Sequence, residues 1–267
     1  MKQMMRSWWI GALLAVGVTA ADASVVTKTI SYQADGKEMK GYLAYDDSIK
    51  GRRPGVLVVH EWWGLNDYAR QRARMLAKLG YTAFALDMYG EGRQATHPDD
   101  AKKFSGEVMS DMPVAKARFE AAVDVLRKEP TVDARHLAAI GYCFGGGVVL
   151  AMARSGLDLD GVASFHGMLA TNQPAQPGDI KTAILVMTGA EDPFVPPDQV
   201  ESFRKEMDNA RADYRVIVYP GAKHSFTNPG ADQYGKEFNL PLQYNQAADE
   251  ASWKEMQAFF HRIFKRD

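Results

Sequence analysis

The chain has 267 residues, 46% of them hydrophobic, and its 32 Lys and Arg nearly balance 33 Asp and Glu for a formal charge of −1. That balance, with no basic stripe, gives no support for nucleic acid as a partner, and the length suits one domain with a full core. One cysteine, Cys143, excludes an internal disulfide, so its thiol is either a shielded core group or a functional one.

At the start, Lys2 and Arg6 precede an apolar run from Trp8 to Val18, and Ala21-Asp22-Ala23 supplies the small residues of an A-x-A cleavage site. Residues 1–23 therefore read as a signal peptide cut before Ser24, leaving a domain over 24–267. The run is short for a membrane span, and an uncleaved anchor is the alternative. Losing two cations (Lys2, Arg6) and one anion (Asp22) takes the charge from −1 to −2. The expected location is the periplasm or outside the cell, with no stable membrane insertion after cleavage. That compartment is oxidising, which makes an unpaired thiol a feature to explain.

Val25 to Tyr32 and Met39 to Tyr45 flank Asp35-Gly36 and predict a hairpin. Strands are expected near 55–60, 81–87, 136–142, 161–166, 182–188 and 214–219. Helices are expected near 67–79, 98–128, 144–154, 197–210 and 244–265. This alternation predicts an α/β fold, a mostly parallel central sheet with helices on both faces. In the first helix Asn66 is the expected N-cap, with Tyr68, Met75, Leu76 and Leu79 facing the core. The last helix carries an apolar stripe of Trp253, Met256, Phe259, Phe260 and Ile263, read as core. The thirteen methionines are scattered and read as core filler. Two segments, Tyr89 to Lys103 and Asn228 to Leu242, are expected to form the rims of a pocket.

The most informative motif is Gly141-Tyr142-Cys143-Phe144-Gly145, between an apolar strand and a helix start. It has the strand–turn–helix setting of a nucleophile elbow, with cysteine at the reactive position. At the helix N-terminus, unpaired N–H groups favour a thiolate and a developing oxyanion. Downstream, Asp192 follows the strand 183–187 ahead of Pro193, and His224 lies in the loop after the strand 214–219. The order nucleophile, acid, histidine at three strand ends is that of an α/β-hydrolase triad. His224 would take the thiol proton, and Asp192 would fix its tautomer. Each has an innocent reading: Asp192 a turn-former with Glu191 as the acid, His224 a surface histidine. His166 also follows a strand end and reads as a satisfied structural histidine.

An earlier strand, Val56 to Val59, runs into His60-Glu61-Trp62-Trp63-Gly64-Leu65-Asn66. The N–H of Trp62 is placed like the second oxyanion donor, the first being that of Phe144. Glu61 beside the thiol would disfavour a thiolate and slow its oxidation; the alternatives are an exposed loop charge for Glu61 and a packing role for His60. Trp63 is expected to line the pocket or to pack.

With Ala85-Leu86-Asp87-Met88-Tyr89-Gly90, Gly189-Ala190-Glu191-Asp192 and Ala222-Lys223-His224-Ser225-Phe226, these motifs resemble the dienelactone hydrolase family. The resemblance spans most of the chain after its N-terminal segment. It implies Cys143 as nucleophile, His224 as base, Asp192 as acid and Glu61 as the partner that holds the thiol in check. It further implies hydrolysis of an ester or lactone through a thioester, without metal or organic cofactor. One departure bears on substrate: where dienelactone-cleaving members carry an arginine four residues after the histidine, this chain has Asn228. An amide cannot supply a bidentate cationic clamp, so another ester or lactone is expected, with Arg93, Lys102 or Lys103 as candidate replacements. Substrate contacts are expected from Trp63, Arg93 and Asn228, and the protein is expected as a monomer or small homo-oligomer. A non-catalytic small-molecule binding protein and an acyl transferase using the same thiol are the alternatives.

Overall fold

The computed structural model describes residues 25–265, so the leader read at residues 1–23 lies outside the described residues. Strands β1 (Val25–Ala34) and β2 (Lys37–Asp46) form the expected hairpin, turned by Asp35 and Gly36 at φ 51° and 68°. Two successive positive φ values give the turn whose twist suits a two-residue hairpin. There follow β3 (Arg53–Val59), α1 (Asp67–Lys78), β4 (Thr82–Leu86), α2 (Pro98–Met109), α3 (Met112–Lys128) and β5 (Val132–Tyr142). The second half runs α4 (Phe144–Arg154), β6 (Gly161–Phe165), β7 (Ala183–Gly189), α5 (Pro197–Ala210), β8 (Tyr214–Tyr219), α6 (Ala231–Phe238) and α7 (Gln246–Ile263).

The sheet order is β1-β2-β4-β3-β5-β6-β7-β8, antiparallel at β1–β2 and β2–β4 and parallel from β4 to β8. Its inner strands are predominantly apolar because both faces are covered. Leu57 and Val59 point to one face and pack with Phe119, Leu126 and Val148 of α3 and α4. Val56 and Val58 point to the other and pack with Leu76, Met256 and Phe260 of α1 and α7. This is the period-two alternation of a strand, with an apolar layer on each side. From β3 the chain crosses to β4 on one side and, later, to β5 on the other. The carboxyl ends of β3 and β5 therefore diverge at a topological switch point, where such sheets open a crevice.

Three local differences from the sequence reading have physical causes. The helix expected over 98–128 is two helices, because Asp111 caps the Val114 N–H at 3.2 Å and Pro113 has no N–H to extend the helix through it. The segment 228–242, expected as a pocket rim and with no helix named in it, contains α6, which Asn239 ends in the left-handed region at φ 51°. Leu79, expected in the core, is 40% exposed as the C-cap of α1, whereas Asn66 caps its start as expected. Among the described residues no helix is long and apolar enough to cross a membrane.

Candidate active site

Cys143 stands between β5 and α4 with φ 52° and ψ −114°, a conformation costly for any residue with a side chain. Two glycines make the turn feasible. A Cβ on Gly141 would lie 2.0 Å from the Gly145 carbonyl oxygen, and one on Gly145 would lie 2.3 Å from the Val59 carbonyl oxygen. Backbone packs against backbone there, so no side chain fits. The Cys143 N–H is shared between the Phe165 carbonyl at 3.0 Å and His166 Nδ1 at 3.1 Å. Outside the turn, the sulfur is left half-buried at the crevice.

The loops after β7 and β8 bring Asp192 and His224 to that sulfur. His224 Nδ1 lies 2.8 Å from Asp192 Oδ2, and its Nε2 lies 3.1 Å from Cys143 Sγ. A carboxylate only accepts, so Nδ1 carries the proton toward Asp192 and Nε2 faces the thiol. Asp192 is itself oriented by the Phe194 N–H, which donates to Oδ1 at 2.9 Å. Both side chains are buried. Burial disfavours the His224 cation, but charge on the Cys143 sulfur and the hydrogen bonds to Asp192 and Cys143 outweigh it. The balance pushes the imidazole up to about 10. The geometry thus supports transfer of the thiol proton to His224.

Glu61, at the end of β3, is buried and accepts a hydrogen bond from Asn228 Nδ2 at 2.6 Å. Burial raises its carboxyl above the ordinary value, with the Asn228 contact opposing that shift. Among the described residues the sulfur's hydrogen-bond partner is His224, not Glu61. The Trp62 and Phe144 N–H groups have no hydrogen-bond partner among the described residues.

His166 is fully buried, with both ring nitrogens engaged. Its Nδ1 accepts from Cys143, so Nε2 donates to Thr227 Oγ1 at 2.7 Å. Thr227 Oγ1 meets the Tyr68 hydroxyl at 2.6 Å, and Arg72 donates to that hydroxyl, to the Thr227 carbonyl and to Asp249 of α7. Burial and the nearby His224 and Arg72 charges hold the His166 pKa well below its ordinary range, so the ring is neutral.

A cavity of about 460 Å³ opens over the sulfur, walled largely by apolar groups. Trp62, Phe144, Met109, Met168, Phe194 and Leu242 give the wall its apolar character, and Lys102 is the cation on it. Both expected rims contribute, through Lys102 and Leu240, although the wall extends along α2 as far as Met109. Trp63, Arg93 and Asn228 do not line it. Trp63 is buried in a stack on Tyr234 at 4.5 Å, and Arg93 turns to the Tyr89 carbonyl and Glu107. Asn228 is committed to Glu61 and to the Gly230 N–H. Met109, Met168 and Phe194 were not singled out in the sequence; the position of Phe194, two residues past Asp192, was the one visible signal. Among the described residues no group of three or more His, Cys, Asp or Glu could hold a metal ion.

The model of the dienelactone hydrolase family matches residues 39–264. Protein usf of Aquifex pyrophilus is 30% identical over 86% of this chain and 96% of its own length. An Escherichia coli K12 protein named "Putative carboxymethylenebutenolidase" is 29% identical over 91% of this chain and 89% of its own. Among solved structures, a dienelactone hydrolase-like promiscuous phosphotriesterase from metagenomic libraries superposes with a TM-score of 0.83. It is 34% identical, covering 90% of this chain and 98% of that one. An enzyme that hydrolyses carboxylic esters or lactones follows from these likenesses. With the α/β-hydrolase sheet, its elbow and the matched family model in agreement, the chain belongs to the dienelactone hydrolase family.

Proposed function

We propose that the protein hydrolyses an apolar carboxylic ester or lactone through a thioester on Cys143. The observation that carries this reading is the hydrogen-bonded line from Sγ to Nε2 at 3.1 Å and from Nδ1 to Oδ2 at 2.8 Å. His224 Nε2 takes the thiol proton as sulfur adds to the substrate carbonyl carbon. The carbonyl oxygen becomes an oxyanion facing the Phe144 and Trp62 N–H groups, which are otherwise unused. Collapse of the tetrahedral adduct expels the alkoxide, which leaves with the proton from His224. A water, deprotonated by the same nitrogen, then cleaves the thioester and restores the thiol.

Asp192 holds the imidazole in the tautomer that both steps need and supports its cationic form. Glu61 is the carboxylate assigned to hold the thiol in check; it and His224 lie close enough to influence one another electrostatically. The predominantly apolar wall favours an ester whose groups beside the carbonyl are hydrocarbon. Asn228, spent on Glu61, supplies no clamp for a substrate carboxylate.

The test is a Cys143→Ala variant with a panel of p-nitrophenyl esters, acetate to octanoate, and simple lactones. It should fold like the parent and lose at least about 10³-fold in turnover. Iodoacetamide should abolish turnover by the parent. Full activity in the alanine variant would exclude the thioester route.

A further inference from the structure

Residues Glu61 to Gly64 form a tight turn closed by the Gly64 N–H on the Glu61 carbonyl at 3.1 Å. That bond gives the Glu61–Trp62 peptide plane one anchor at its carbonyl, and the direction of the Trp62 N–H depends on that plane. That N–H belongs to the same peptide unit as the Glu61 carbonyl, and in a trans peptide the two point in opposite directions. Whatever grips the carbonyl therefore aims the N–H.

The second and shorter anchor comes from His60. Its Nδ1 lies 2.5 Å from the Glu61 carbonyl oxygen, and its Nε2 accepts the Met88 N–H at 3.2 Å. A nitrogen that accepts a main-chain N–H cannot carry its own proton, so the proton is on Nδ1 and is donated to Glu61. The ring is fully buried, stacks near Phe144 at 5.7 Å and meets Tyr89 edge-on at 4.7 Å. Burial, its largest influence, lowers the imidazole pKa and keeps the ring neutral, as this pattern requires. Tyr89 secures the next plane by donating its hydroxyl to the Trp62 carbonyl at 2.8 Å. The His60 carbonyl in turn accepts the Gly145 N–H at 3.1 Å, so the same residue ties this turn to the elbow that carries Phe144.

We propose that His60 is a positioning residue for the oxyanion site: its Nδ1–H fixes the Glu61–Trp62 peptide so that the Trp62 N–H points at the developing oxyanion beside Cys143. This rests on the thioester reading above. His60 exchanges no proton with substrate and touches neither sulfur nor His224; its effect passes through the peptide plane.

Two substitutions divide the ring's hydrogen bonds. His60→Asn places an amide N–H where Nδ1 stood and drops the acceptor for Met88. His60→Gln places an amide oxygen near the Nε2 position and drops the donor to Glu61. Each loses one buried hydrogen bond, so a merely structural role would penalise them alike. The expected result is a kcat about 10²-fold lower for His60→Gln, the order expected for a spoiled oxyanion donor, with KM little changed. His60→Asn should retain kcat within about tenfold of the parent. The rate of Cys143 alkylation by iodoacetamide, which needs no oxyanion donor, should stay within about twofold in both. An aryl trifluoromethyl ketone, whose thiol adduct carries the oxyanion, should bind His60→Gln weaker by the same factor as kcat/KM falls. Equal losses in the two variants, or alkylation that falls in step with kcat, would overturn the proposal. If the glutamine variant does not fold, ring ¹⁵N shifts of the unaltered protein decide: an Nε2–H tautomer of His60 would overturn the proposal, and a neutral Nδ1–H tautomer would support it. Failure of the underlying reading is distinguishable, because ester turnover by the parent would then survive alkylation of Cys143.

Discussion

Replacing Asp192 by asparagine should do more than weaken a hydrogen bond; it should reverse one. The carboxylate serves two donors, with Oδ1 accepting from the Phe194 N–H at 2.9 Å and Oδ2 from His224 Nδ1–H at 2.8 Å. An asparagine that keeps its oxygen on the Phe194 N–H turns its NH₂ toward His224 and donates to Nδ1. The imidazole proton must then sit on Nε2, aimed at the sulfur 3.1 Å away, where it blocks acceptance of the thiol proton. The opposite amide orientation sets NH₂ against a main-chain N–H in a buried site, leaving an unpaired donor at about 1–3 kcal/mol. The blocking orientation therefore prevails. The expected loss in kcat is about 10⁴-fold, ~5 kcal/mol of barrier. Initial rates on p-nitrophenyl acetate, with far-ultraviolet circular dichroism to confirm the fold, give the answer. A second sign comes from pH: Asp192 is one of the groups that raise His224, so the limb of the rate profile belonging to the imidazolium should move to lower pH. An asparagine variant within about tenfold of the parent, with its pH profile unmoved, would refute the assigned proton order.

Gly141→Ala should prevent the elbow from forming, because its Cβ would meet the Gly145 oxygen at 2.0 Å and neither backbone can retreat; soluble folded yield should collapse. Gly106→Ala, within α2 and with nothing inside 4 Å of its added Cβ, should instead raise stability by about 0.5–1 kcal/mol in urea unfolding. Glu61→Gln should stabilise the protein increasingly as pH rises. The folded carboxyl is raised above 4.5, so below that value both states are protonated; above it the unfolded chain releases the proton more readily, and native stability falls. The glutamine, still able to accept from Asn228, escapes this loss. Urea midpoints at about pH 5 and about pH 8 should diverge in its favour, and an equal difference at both would contradict the sign of the shift.

What could be read from the residues followed the physics that is local. Uninterrupted apolar runs such as Val56 to Val59 and Leu137 to Ile140 announced buried parallel strands, since both faces of those strands need covering. The elbow was legible because Gly141 and Gly145 answer to steric contacts a few residues away. The break at Asp111 was missed although its signal, a cap followed by Pro113, was present in the chain. α6 was obscured by Gly235, which weakens any helix taken alone and is needed because its Cβ would lie 2.7 Å from the Leu242 carbonyl. Partners brought together by the fold left no local trace. Nothing near Asn228 signals that its amide faces Glu61, and nothing near Arg93 signals that Tyr89 and Glu107 hold it away from the cavity. His60 looked like packing because its two hydrogen bonds go to main-chain atoms, which composition cannot display.

The buried chain from the Cys143 N–H through His166, Thr227, Tyr68 and Arg72 to Asp249 has a consequence for how the molecule comes into being. Four of its five links join residues 23, 61, 159 and 177 positions apart, the Tyr68–Arg72 link alone being local, and the Sγ–Nε2 contact joins residues 81 apart. Contacts so distant along the chain close late, after the loop entropy between them has been overcome. The elbow glycines and helices can take shape early, but thiol and base meet only when β7, β8 and α7 have docked. In a refolding time course, helical signal should therefore return before esterase activity. Competence for chemistry is then a report on completed topology: a half-folded chain carries a cysteine, and only the finished one couples it to a base.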